Sequence, residues 1–64
     1  MYQLLVYYNG DRAVRERREV QHASDVLTLI PELLKAHEGC EHIVVMQGAS
    51  RLFAVDCKGN RIDD

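Results

Sequence analysis

The sequence predicts an α+β domain: an antiparallel sheet of four strands in the order β-β-α-β-β, with room for a short fifth, and one helix packed on one face. Three observations carry this. Residues 2–8 form a β-branched and aromatic run that ends at Asn9-Gly10, a strong signal for a chain reversal after a strand. A single segment, 26–34, carries apolar residues at helical spacing. Two further apolar runs, 42–47 and 51–57, flank Gly48-Ala49-Ser50.

The chain has 64 residues and a mass of 7.3 kDa, which reads as one domain spanning 1–64. A fold of this size buries about 6,400 Å², worth about 95 kcal/mol if ~60% of it is apolar. Ordering the chain costs about the same. A staple or a partner is therefore expected. A hydrophobic content of 47% and a charged content of 28% exclude a disordered chain.

In the first strand Leu4, Val6 and Tyr8 alternate with Leu5 and Tyr7, so both faces are apolar, as in a central or covered strand. Residues 12–20 read as the return strand, since Val14 and Val20 share no helical stripe. A two-residue loop would pair Leu5 with Val14, and a bulged three-residue loop would pair Val6 with Val14. Ser24 or Asp25 can cap a helix. Val26, Leu29, Ile30, Leu33 and Leu34 form its stripe, and Leu27 lies off it. Gly39 suits the residue after its C-terminal cap. Pro31 would break a hydrogen bond in a helix begun at Ser24, so a separate turn at 24–28 and a main helix opening near Thr28 are expected. The stripe should face Ile43, Val45, Phe53 and Val55, or the alternate set Val44, Met46, Leu52 and Ala54. Residues 61–64 read as a short edge strand or a frayed tail.

A net charge of −2 argues against a nucleic-acid-coating protein. The basic residues are uneven, however: Arg12, Arg15, Arg17 and Arg18 fall within seven residues, opposed there only by Glu16. Arginine suits planar and stacked contacts. Together with Tyr2, Tyr7 and Tyr8 of the neighbouring strand, Arg15, Arg17 and Arg18 are the candidate binding residues. Arginine and tyrosine are enriched where proteins meet. The same residues could stack bases and hold phosphates.

Cys40 and Cys57 are the only cysteines, fewer than a small secreted domain usually carries. Residues 1–8 show no basic leader, and the apolar run 4–8 is too short for a signal core or a membrane span. A cytoplasmic protein with two reduced thiols, away from membranes, is expected. His37, Cys40 and His42 are metal-ligand types, but their spacing matches no zinc signature. No metal, no cofactor and no catalytic group is expected. The glycines, at 10, 39, 48 and 59, are too scattered for a phosphate loop. The expected function is that of a non-enzymatic interaction module. It should be homodimeric through the sheet face that one helix cannot cover, with a tyrosine in the interface. A protein partner should meet the arginines, and nucleic acid is the alternative.

Overall fold

The computed structural model describes residues 1–10 and 12–62. The chain runs β1 (Tyr2–Tyr7), β2 (Glu16–Val20), α1 (Ala23–Ala36), β3 (His42–Gln47), β4 (Ser50–Asp56) and β5 (Arg61–Ile62). All neighbours pair antiparallel in one sheet of order β2-β1-β3-β4-β5. The α+β class is thus shown, and the short fifth strand is present. Residues 63 and 64 of the expected tail lie outside the described residues.

β1 occupies the sheet interior between β2 and β3, as its two apolar faces require. Leu4 and Val6 point under the helix and are fully buried. On that side they meet Val26 and Leu33 of α1 with Ile43, Val45 and Val55, while Leu29, Ile30, Leu34 and Phe53 pack at the margin. The helix therefore takes the first of the two expected sets. On the other face Leu5, Val44 and Ala54 cluster beneath Tyr7, Val14 and Met46.

The β1–β2 register differs from both expected ones. Leu5 pairs with Arg17 and Tyr2 with Val20, and residues 12–15 lie outside β2. Either tight hairpin would slide Val20 past the start of β1. The observed register places Val20 opposite Tyr2 at the core margin, and the longer connection lets Val14 fold over the far face. Burial of two valines outweighs the local turn preference of Asn9-Gly10.

The helix is also continuous where a break was expected. It runs from Ala23 to Ala36 with Pro31 inside it. His22, not Ser24 or Asp25, holds the N-cap position, without a side-chain cap bond. At the other end the His37 N–H donates to the Leu33 carbonyl (2.8 Å). The core contacts of Val26, on the N-terminal side of the proline, hold that segment helical. Pro31 itself is exposed and forgoes one bond, to the Leu27 carbonyl. Pro31→Ala should therefore stabilise the fold by about 2 kcal/mol, net of the unfolded-state entropy proline removes; urea unfolding checks this, and a change below ~1 kcal/mol would contradict it.

β3 and β4 form a two-residue hairpin at Gly48-Ala49, with Gly48 at φ 61°, the first-position geometry glycine supplies without strain. At the open end of this hairpin Cys40 and Cys57 are joined by a disulfide, with Cα atoms 5.4 Å apart. The expectation of reduced thiols is corrected here. The antiparallel pairing of His42 with Asp56 carries the two cysteines past the strand ends side by side. The bond is the staple that the size of the chain called for. Its cysteines lie 17 residues apart, so replacing both with serine should cost about 3 kcal/mol, read as a lower denaturant midpoint with a steeper slope, since the unlinked denatured chain expands.

Candidate functional site

The candidate residues do not form one cluster. They divide between the two faces of the sheet. Tyr2 and Tyr8 pack against the helix-side core, whereas Tyr7 belongs to the far face, stacked on His42 with ring centroids 4.9 Å apart. Pleating does the same to the arginines. Arg18 stands opposite Leu4 and shares its helix-side face, and Arg17 stands opposite Leu5 on the far face. Arg15, one residue before β2, lays its guanidinium over the Tyr8 ring, 4.4 Å from the centroid. Arg12 lines an open cradle with Gly10, Ala13, Val14 and Arg15.

Where β1, β2 and the helix C-terminus converge, four side chains form a chain of hydrogen bonds. The Tyr8 hydroxyl lies 2.8 Å from His37 Nδ1. His37 Nε2 bonds Glu16 Oε1, and Arg18 Nε donates to Glu16 Oε2. The Arg18 guanidinium, with the His37 bond second, holds the Glu16 carboxyl below its ordinary pKa. An ionised Glu16 only accepts, so the His37 Nε2 that faces it carries a hydrogen and donates. With both ring nitrogens occupied, His37 ties the end of the helix to β1 and to the sheet edge. It has no free nitrogen for a metal. Cys40 is committed to the disulfide, and the described residues contain no group of three metal-ligand side chains.

A second feature escaped sequence reading. The β3–β4 register shifts between Val45 and Met46: Val45 pairs with Phe53, Met46 with Arg51, and Leu52 is left as an extra residue. Such a bulge re-aims a side chain. Leu52 joins Phe53 on the helix side, where both line an apolar groove of about 170 Å³ with Tyr2, Val26 and Leu27. Leu27, off the apolar stripe, is 69% exposed there. Its position off that stripe was the available signal, while the bulge left none.

No helix of the described residues is long and apolar enough to cross a membrane. The chain matches no protein-family model, no curated protein and no solved structure.

Glu16 links this network to pH. A carboxyl whose pKa is depressed in the folded state contributes stability above its ordinary value and loses it as pH falls through that value toward the folded one. Asp56 has the same sign, lowered mainly by the Asn60 backbone N–H and also by that of Lys58. Thermal midpoints of the wild type should therefore fall on acidification below about pH 4. Glu16→Gln should lower the midpoint at neutral pH and make that fall smaller, leaving the part due to Asp56. An unchanged acid profile in Glu16→Gln would remove Glu16 from the account.

Proposed function

We propose that this chain is a small non-enzymatic interaction module, homodimeric, with Arg15, Arg17 and Arg18 forming the surface that another protein meets. The observation that carries this reading is the position of β2. It is the outermost strand of the sheet, Arg17, Arg18 and Glu19 are exposed, and among the described residues nothing pairs with its outer side. A strand edge offers a row of backbone donors and acceptors to a second chain. Charged side chains on both faces select which chain is accepted. The nucleic-acid alternative is the weaker reading, because a base needs an open ring face. Arg15 already occupies one face of the Tyr8 ring and His42 one face of the Tyr7 ring. Nor does the Tyr8–His37–Glu16 chain favour catalysis: its members are spent holding strands and helix together.

The small number of cysteines favours a cytoplasmic home, whereas the disulfide favours an oxidising compartment, where such bonds persist. Alkylation of the protein taken directly from its host separates the two, since only reduced thiols are modified.

The arginines are tested by a pull-down from the native host, comparing the wild type with a variant carrying Arg15→Glu, Arg17→Glu and Arg18→Glu. A protein, the chain's own copies included, should be retained by the wild type and lost by the variant. Retained nucleic acid, with affinity falling by a log–log slope of about −0.7 to −0.9 per phosphate contact as salt rises, would establish the alternative. Retention of nothing would overturn both.

A further inference from the structure

We propose that the protein met by the β2 edge is a second copy of this chain. In this arrangement two β2 strands pair antiparallel about a two-fold axis at Arg17, joining two five-stranded sheets into one. The inference rests on the interaction-module reading and names its partner.

The argument is one of charge and register. Identical strands paired antiparallel about a two-fold axis centre on a residue, and directly opposed residues point to the same face. The segment reads Val14-Arg15-Glu16-Arg17-Arg18-Glu19-Val20. Centred on Arg17, Glu16 opposes the partner's Arg18, and Arg18 opposes the partner's Glu16. One step outward, Glu19 reaches the partner's Arg15, which lies outside β2 with its guanidinium over the Tyr8 ring. Within β2, two opposite-charge pairs then flank a single like pair, Arg17 against its own copy. Centring on Arg18 leaves two opposite-charge pairs, those of Arg17 with Glu19. Centring on Glu16 opposes Arg15 to Arg17 twice, and centring on Glu19 makes no opposite-charge pair. Like charges directly opposed destabilise a sheet and opposite charges support it, so the Arg17 and Arg18 registers lead. The first is set apart because it keeps Glu16 against the partner's Arg18, counterpart of the arginine it already bonds within its own protomer. A strand merely guarded against aggregation needs charge; it does not need charges ordered to complement themselves.

The structure already prepares half of this pairing. Arg18 Nε donates to Glu16 within one protomer, which uses one of five guanidinium donors. Across the axis the two copies of Glu16 and Arg18 alternate in sign around a ring on the helix-side face. His37 fixes the Glu16 carboxylate from behind. By contrast, the far sheet face, where covering by a second subunit was expected, is largely roofed by its own chain. Leu5 and Val44 are 9% exposed there and Ala54 1%, beneath Tyr7, Val14 and Met46. That face places little demand on a partner.

The experiment is sedimentation of the full chain with charge-swapped variants. The wild type should be dimeric in the micromolar range. Arg18→Glu and Glu16→Arg, each alone, should weaken the dimer at least tenfold. An equimolar mixture of the two should restore it, since each supplies the charge the other lacks. Arg17→Thr is a second variant at an exposed position outside the hydrogen-bonded chain. By removing the like pair at the axis it should tighten the dimer several-fold, even if the Glu16 variants fold poorly. A dimer indifferent to Arg18→Glu and to Arg17→Thr, or weakened by the latter, would overturn the edge and leave homodimerisation through another surface standing. A monomeric wild type at high micromolar concentration would overturn the homodimer as well.

Discussion

The architecture depends on the burial of β1 from both sides. Leu4 and Val6 are sealed beneath the helix, while Leu5 is covered on the opposite face. Chain order alone would put β1 and β2 together as a peripheral hairpin. Instead β3 docks on the other side of β1, with Val44 opposite Leu5, and both hydrophobic clusters are built around the same few residues. A polar substitution at Leu4 would strand its group in the core with no hydrogen-bond partner, a cost of a different order from any surface change.

Much of this was legible in the sequence. Two-residue alternation in 2–8 and 42–47, and the stripe from Val26 to Leu34, are local consequences of burial on one face or two. They identified the elements and the residues facing the helix. Features set at long range were not legible. The β1–β2 register follows from where Val20 and Val14 find shelter, and Pro31 is held in helix by packing on both sides of it. The disulfide follows from the β3–β4 register, which brings two cysteines together that the sequence leaves apart. Of the candidate site, residue types were readable but companionship was not. Pleating sent Arg17 and Arg18 to opposite faces, and Tyr8 found His37 and Glu16, neither near it in sequence.

The two ends of the molecule are tied differently. At the helix C-terminus the disulfide, the Tyr8–His37–Glu16 chain and the Asp56 turn all converge. At the N-terminal end of the helix there is no side-chain cap, and the wall is apolar: Tyr2, Val26, Leu27, Leu52 and Phe53. Directional bonds fix position at one end, whereas the contacts at the other are non-directional and tolerate small shifts.

The cross-link between Cys40 and Cys57 also shapes the chain when it is not folded. It closes the whole β3–β4 segment into a covalent ring, so even the denatured ensemble keeps the ends of that hairpin together. The entropy of closing this loop is removed from the folding reaction. What remains for the chain to find is the docking of residues 1–39, with β1, β2 and the helix, onto a ring already closed. Reduction would return that closure to the folding reaction and leave a more expanded denatured ensemble.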